Sequence, residues 1–580
     1  MSSTGSLIPR VYSGFRGVDF RGEEINLVRS PDSVNMWKDY KETESIRTRP
    51  AMKRLASLIN QGKIYQISFF KSEMLVHIGS RICKYADGEL TNLYTNALQS
   101  QSESFVYEDP TTKEIMWYFK DGKNYLQYDG NSITAVEGYI PTTSIGRKPV
   151  ENVTDKPAGG TIHEDINMIQ PKRINTFVGD GKSTVYWLDA DKIDNVKPVV
   201  KFLVLKDDKA VWEVQSAYST DYENGRIVFV KAPDAPLTDG QDNVSIEFSK
   251  TVDGYREAIL NCRLVQPFDN RVFFSGNKDH PNMVWHTSLN DPTYVSDLDY
   301  YREGMDTARV TGMVAGNNAL WVFREPSEAN TNVFYHTPAI DDDYGKIYPS
   351  SHSSVATGCI GKAINFNDDI VFFSERGMEG ISGDITTEQV VAHRSSMVDR
   401  KLTAEKNYAN MILVEWEGYL LVIIGKKVYL ADSRGVFTNE DHIEYEWFYW
   451  QMEKEITCAK VYEGTLYLGT TDGIYELTDL NSDVESYWVT PKDKFNYPHM
   501  QKTTNKKGCV AEATGDITVY AKVEDTDFQL IGEYKNVTDY FVSRIKRKKF
   551  KDIQLKFHSK TRFSLETVTL EVWVGGYIKR

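Results

Sequence analysis

The sequence predicts an all-β protein. It is read as a β-propeller of six to eight blades, seven favoured, with an inserted small β-sandwich and a second β-sandwich at its C-terminal end. The first observation behind this is a recurring unit. A turn rich in Asn, Asp or Gly leads into a short apolar run, often followed by a second turn and run. The instances are KSEMLVHIGSRICKYADG, DPTTKEIMWYFKDGKNYLQYDG, FDNRVFFSGN, GNNALWVFRE, FNDDIVFFSERGMEGIS, EWEGYLLVIIGKKVYLAD and YEGTLYLGTTDGIYEL, and the last five recur every roughly 45–50 residues. A single hairpin of this kind cannot bury its apolar face alone, whereas radial stacking buries each face on the next and leaves only short edges. The second observation is composition: 34 Tyr and 26 Phe in 580 residues suit pleated, half-buried surfaces. The third is that the period breaks twice, once after the second unit and once after the last.

Taken in order, residues 1–55 read as an N-terminal clip or strand. Their most distinctive stretch is RSPDSVNMWKDYKETESIRTRP at 29–50. Pro31 and Pro50 push the residues before them into extended backbone. Val34, Met36 and Trp37 make a short apolar patch, and Ile46-Arg47-Thr48-Arg49 alternates as a strand does. Arg47 and Arg49 then share a face, roughly 7 Å apart. Two readings stay open at this point: a surface hairpin with a solvated basic face, or a specific anion site.

Residues 56–149 and 256–480 carry the propeller. Between them, 150–255 opens with GRKPVENVTDKPAGG, a linker-like run, and then shows a shorter period. Strands are expected at Thr184 to Leu188, Val199 to Leu205, Arg226 to Val230 and Val244 to Phe248, joined by Gly/Asp/Asn turns. That is a small sandwich placed in an exposed connection. Residues 481–580 change pattern again. Val568, Leu570, Val572 and Val574 fall on one strand face, Thr567, Thr569 and Glu571 on the other.

A net charge of −14 argues against nucleic-acid binding over the whole surface. The five cysteines are scattered with no CxxC, which argues against a disulfide framework or a zinc site and fits a reducing cytosol. The stretch MSSTGSLIPR lacks an apolar core and does not read as a secretory signal, and no run approaches the length of a membrane span. The catalytic inventory is thin, so no enzyme activity and no cofactor are expected. The ten histidines make no HxH or HExxH, and there is no GxSxG, Walker loop or GxGxxG after a strand. GDGKST at 179–184 runs into a strand pattern and reads as a plain turn, and DDDYG at 341–345 as a solvated turn rather than a calcium loop. Glu375, Glu379 and Asp384 are candidate carboxylates for glycoside chemistry, but nothing in the sequence fixes the separation that such chemistry requires. The aromatic run EYEWFYWQ at 444–451 reads as core or interface, with sugar stacking as the rival.

The strongest charge feature is RIKRKKFKDIQLKF at 544–557. With Ile553, Leu555 and Phe557 facing inward, the same register continued backwards puts Arg547, Lys549 and Lys551 inward and Arg544, Lys546 and Lys548 outward. A strand basic on both faces must project, cross an interface or meet an acidic neighbour. A solvated tip, an acidic partner subunit and nucleic-acid phosphates all fit.

Three separated places resemble a known family, the packaged-DNA stabilisation or tail-nozzle proteins of tailed bacteriophages. The first is Ser30, Pro31, Val34 and Asn35 followed by Arg49 and Pro50, with Ala51 where the family commonly has glycine. The second comprises DNRVFFSGNKDHPNMVWHTSLNDPTYV at 269–295, with Asn270-Arg271 opening a strand and Asp291-Pro292 closing the hairpin, and GCIGKAINFNDDIVFFSERGMEGIS at 358–382. The third is SYWVTPKDKFNYPHMQKT at 486–503. The resemblance implies a non-enzymatic structural protein of the virion neck or tail, assembled in the host cytoplasm. About six copies would form a ring below a portal or adaptor (head-completion) protein. The ring would retain packaged genome and pass double-stranded DNA through its lumen on infection. Tail fibre or spike proteins would dock outside. An acidic lumen would suit this, because each phosphate contact with a basic wall adds affinity and impedes sliding. On that reading Arg47 and Arg49, with the basic stretch Arg544, Lys546, Arg547, Lys548 and Lys549, are interface residues. The rival functions are a propeller glycosidase or depolymerase and a carbohydrate-binding adhesion module.

Overall fold

The computed structural model describes residues 6–41, 45–157, 159–328, 331–342, 345–353, 355–382, 390–439, 442–479, 483–546 and 549–577. Among these, seven four-stranded antiparallel sheets follow one another along the chain, and the fold is a β-propeller. All seven sequence units lie on these sheets. Each unit supplies the two middle strands or part of them, such as Glu73–Ile78 with Arg81–Ala86, and Tyr419–Ile424 with part of Lys427–Asn439. The turns that lead into the first middle strand use residues that tolerate left-handed backbone, including Asp269, Asn270, Asn317, Asn318, Asn367 and Asp368. That is why the Asn/Asp signals recur with the period of the fold.

Six sheets are built from consecutive strands or nearly so. The seventh is not. Cys458–Tyr462, Thr465–Gly469 and Gly473–Thr478 take their fourth strand from Ala51–Ser57. The closing strand therefore lies just beyond the 29–50 stretch. The chain changes sheets at Pro50: Ile46–Thr48 pairs with the C-terminal sheet, and Ala51 opens the closing strand. Proline has no N–H to give a ladder, so it marks the break.

The chain forms two compact units. One comprises Met1–Gln101, Thr311–Thr337 and Ser351–Arg580; the other comprises Ser102–Val310 and Pro338–Ser350. In the first unit, the seventh sheet packs on the first through Ala56, Ile64, Val76, Cys458 and Ile474. The fourth and fifth sheets share a core around Trp321, Phe323, Ile370 and Phe372, and the fifth and sixth one around Phe373, Met411, Leu420 and Trp447. The run EYEWFYWQ has successive aromatics because both of its faces are buried. Tyr445, Trp447 and Tyr449 enter the core shared with the fifth sheet, while Phe448 and Trp450 enter the one shared with the seventh and the C-terminal sheet. These rings are core rather than a sugar platform.

The C-terminal sandwich is one hydrogen-bonded sheet of nine strands. Its long strand Met500–Val523 pairs with Phe563–Tyr577 up to Gly515 and with Ile553–Ser559 from Thr518 onward. Val568, Leu570, Val572 and Val574 are buried as the alternation predicts. What alternation did not predict is that the N-terminal strands Ser6–Ser13, Met36–Trp37 and Ile46–Thr48 belong to the same sheet.

In the second unit, the second and third propeller sheets pack around Phe105, Tyr125, Phe274 and Trp285. The inserted domain has the four expected strands, joined by Thr142–Arg147, Lys172–Phe177, Lys209–Gln215 and Tyr218–Asp221. They form a five-stranded and a three-stranded sheet around Phe177, Tyr186, Val200 and Phe229. The GDGKST segment is a turn: Asp180 accepts from the backbone N–H of Lys182 and Ser183 and from the Ser183 hydroxyl. All five cysteines are buried and free, and burial pushes the thiols of Cys262, Cys458 and Cys509 up to about 12. No helix among the described residues is long and apolar enough to cross a membrane.

Candidate functional site

The 29–50 stretch builds a buried joint between the N-terminal segment, the sixth propeller sheet and the C-terminal sheet. Asn35 is its centre. It sits at φ 60, a backbone region that Asn enters more easily than most residues. Its N–H donates to the Tyr449 carbonyl, its side-chain amide donates to the Glu485 carbonyl at 2.8 Å, and its Oδ1 accepts from Gln451 N–H at 2.8 Å. Arg49, with 0% exposure, donates Nε to Asn35 Oδ1 at 3.0 Å, Nη1 to the Pro50 carbonyl at 2.7 Å, and Nη2 to Glu453 at 2.6 Å and to the Gln451 carbonyl at 3.3 Å. Burial lowers the pKa of this guanidinium, and Glu453 opposes the shift. Arg47, with 3% exposure, bonds Asp39 and lies 3.1 Å from Asp479. Nearby, Ser30 donates to the Val489 carbonyl at 2.7 Å, and Val34 forms a bridge to Tyr487. Arg29 makes a two-pronged bond to the buried Glu446 at 2.7 and 2.9 Å.

Neither Arg47 nor Arg49 presents a solvated basic face. Both meet acidic neighbours at a seam, and those neighbours belong to the same chain. Five of the six residues that carried the family resemblance here, Ser30, Val34, Asn35, Arg49 and Pro50, converge on this one joint, and Pro31 follows Ser30 at its edge.

The second charged site is the basic loop. Ser543, buried, and Phe550, 1% exposed, pin its two ends. Phe550 exchanges two backbone bonds with Lys502, whose buried ammonium also donates to the Lys551 carbonyl at 2.7 Å. Between these anchors Arg544, Lys546 and Lys549 are exposed, whereas Arg547 and Lys548 lie outside the described residues. The backward register fails here. Ile553, Leu555 and Phe557 are inward as expected, but Lys549 and Lys551 are exposed. The strand begins only at Ile553, so alternation has no ladder to follow before it.

Sequence reasoning missed a second contributor. Lys506 and Lys507 project from an irregularity in Met500–Val523, where Thr504 pairs Val572 and Cys509 pairs Leu570. Gly508 brings this irregularity against the basic loop. A Cβ there would stand 2.2 Å from the Ser543 carbonyl oxygen and 3.0 Å from Arg544 Cα, and φ is +76. Only glycine fits that approach. The only sequence signal for it was the Lys-Lys-Gly triplet itself.

Of the candidate carboxylates, Glu375 is exposed, Asp384 lies outside the described residues, and Glu379 is buried. Glu379 is 3.3 Å from His393 Nδ1, and His393 Nε2 is 2.6 Å from Asp399. Burial alone would lower the His393 pKa. The bonds to Asp399 and Glu379 outweigh it and push the value up to about 10. A histidine held protonated through neutral pH is a clamp between two acids, not a general base. Its pKa lies above the unfolded value near 6.5, so its stabilisation is complete below pH 6.5 and disappears as pH rises through about 10. His393→Gln is therefore expected to cost a few kcal/mol at about pH 6 and almost nothing near pH 10.5. Urea midpoints of both proteins across that range measure the difference, and a pH-independent gap would refute the clamp. Among the described residues no group of three or more His, Cys, Asp or Glu is placed to hold a metal ion. Asp341 and Asp342 of DDDYG are described, and residues 343–344 are not.

No protein-family model matches the chain, and no curated protein matches it. Solved structures do align. One is BamB from Moraxella catarrhalis, at 12% identity and TM-score 0.33, covering 74% of this chain and 97% of that one. Another is a streptogramin B lyase, at 7% identity and TM-score 0.35, covering 74% and 98%. A third is an exo-β-1,3-galactanase from Phanerochaete chrysosporium, at 10% identity and TM-score 0.20, covering 53% and 94%. At these scores no functional argument passes from them to this chain. The fold assignment rests on its own sheet order.

Proposed function

We propose that the chain is a structural protein of a tailed-phage virion, a subunit of a neck or tail-nozzle ring that retains packaged DNA and conducts it during ejection. One observation carries the reading. The separated residues that resemble the tail-nozzle family at the N-terminal end, Ser30, Val34, Asn35, Arg49 and Pro50, meet in one buried joint with Tyr487 and Val489 of the third resembling segment. Residues that act together in the fold are a stronger resemblance than the same residues met separately in sequence. The joint also locks the N-terminal segment and the C-terminal sheet onto the sixth propeller sheet, as suits a subunit whose work is mechanical. The resemblance implies about six copies in a closed ring, an arrangement that would require head-to-tail contacts closing by rotation.

The experiment is negative-stain imaging of virions carrying a label in the inserted domain, together with sedimentation of the purified chain with its neck components. Label at the neck and a ring in the pellet are expected. Label on the capsid or a distal fibre, or turnover of host polysaccharide by the purified chain, would overturn the proposal in favour of the glycosidase or adhesion reading.

A further inference from the structure

The cationic side chains of the basic loop, and of the lysine irregularity that Gly508 brings beside it, take part in neither the joint nor a core. We infer that Lys506, Lys507, Arg544, Lys546 and Lys549 form a contact surface for the phosphate backbone of duplex DNA. The inference rests on the proposed function, in which duplex DNA meets this protein, and names the residues that would touch it.

Three observations support it. First, two chain segments separated by more than thirty residues converge there, and their exposed residues Lys506, Lys507, Arg544, Lys546 and Lys549 are all cationic. None of the five makes an ion pair among the described residues. The neighbouring carboxylate, Glu571, is engaged by the side-chain amide of Asn505 at 2.5 Å. Second, the two ends of the loop are anchored. Ser543 and Phe550 are buried, Lys502 is tied to Phe550 and Lys551, and Ile545, the loop's one apolar residue in the described part, packs toward the core. The charges are thus held out on a pinned base. Third, the five positions are all lysine or arginine, and the exposed apolar residues Val542 and Trp573 lie on the strands beside them rather than among them. Protein–protein interfaces centre on desolvated aromatic or aliphatic residues and are depleted in lysine. A cluster of lysine and arginine without such a centre suits phosphates, which take point charges and need no dry core. Against a net charge of −14 over the chain, these few cations make a local brake on the duplex rather than a basic wall along its path, and point charges on phosphates carry no base reading.

The test uses the full-length chain and a fluorescent duplex of about 20 base pairs, titrated at about 50 and 200 mM salt. If four or five phosphates are neutralised, affinity should fall roughly 10²-fold between the two salt concentrations. A variant with all five positions changed to glutamine should bind at least about tenfold more weakly at the lower salt and show a flatter salt dependence. A variant exchanging Lys for Arg and Arg for Lys should bind as the parent does. All five residues are exposed, so equal melting temperatures are expected and serve as the folding check. No binding by the parent, or equal binding by the glutamine variant, would overturn the inference. So would competition by polyglutamate as effective as that by unlabelled duplex at equal charge, since the surface would then be one for acidic proteins. Sedimentation of the same samples separates the two claims. Rings with no duplex binding remove this inference alone, and duplex binding by a chain that never forms rings removes the ring alone.

Discussion

Replacing Arg47 and Arg49 together by alanine is expected to unfold the first compact unit at room temperature or leave it barely stable. Arg47 is the cation facing Asp39, whose side chain is 10% exposed. Removing one member of a buried pair leaves the other charged and dry, at about 3–5 kcal/mol. Arg49 contributes differently. Its carboxylate partner Glu453 is half exposed and would simply be solvated, but the Gln451 and Pro50 carbonyls lose their charged donor inside the joint, while Asn35 Oδ1 keeps the Gln451 N–H. Each buried acceptor left without a donor costs about 1–3 kcal/mol, and the vacated guanidinium leaves a cavity. The sum approaches the whole stability of an ordinary domain, about 5–15 kcal/mol. Urea unfolding followed by tryptophan fluorescence suits the measurement, because Trp37 stacks on Trp416 beside Arg47. The control is Arg544→Ala/Lys546→Ala, which removes two exposed charges and should stay within about 0.5 kcal/mol of the parent. A double Arg47/Arg49 variant that unfolds with the parent would show that the joint does not hold the unit together.

Gly473→Val is the second substitution with a large expected effect. Gly473 pairs with Ser57 where the closing strand meets the seventh sheet. A Cβ there would lie 2.3 Å from the Ala56 carbonyl oxygen, a backbone atom that cannot move without opening the ladder. The expected result is detachment of Ala51–Ser57. The seventh sheet is then left with three strands, and the core of Ala56, Leu58, Ile64 and Ile474 opens to water. Overpacking alone costs about 1–3 kcal/mol, and losing the apolar cover adds to it. Hydrogen exchange reads this directly, because amides of Ala51–Ser57 should lose protection while those of Tyr419–Ile424 in the sixth sheet keep it. Undiminished protection in the closing strand would refute the role assigned to Gly473.

The propeller was legible because its signals are local. Each Asn/Asp/Gly turn and apolar run lies within one hairpin, so Asp269-Asn270 or Asn317-Asn318 announces its own strand pair. The alternation of Val568, Leu570, Val572 and Val574 was legible for the same reason. The basic loop was legible as charge but not as geometry. Alternation extended past Ile553 put Lys549 inward, and the chain there has no strand partner to enforce it. Arg47 and Arg49 were placed on one strand face, yet their solvation was undecidable from sequence. Arg47 has one partner, Asp39, eight residues away, but Asp479 and Glu453 stand some four hundred residues away, and nothing beside the arginines announces those two.

By itself, the sequence determined the repeat, the seven hairpin units, the interruption by a small β domain and the absence of familiar catalytic motifs, since hairpins and turns are specified by residues in contact with their own neighbours. Only the tertiary structure decided that Ala51–Ser57 completes the last sheet, that the N-terminal strands join the C-terminal sheet, and that Lys506 and Lys507 stand beside Arg544. The reason is physical: a strand edge accepts any strand of compatible register, so the choice of a partner hundreds of residues distant is made by the packing of the whole and leaves no local mark.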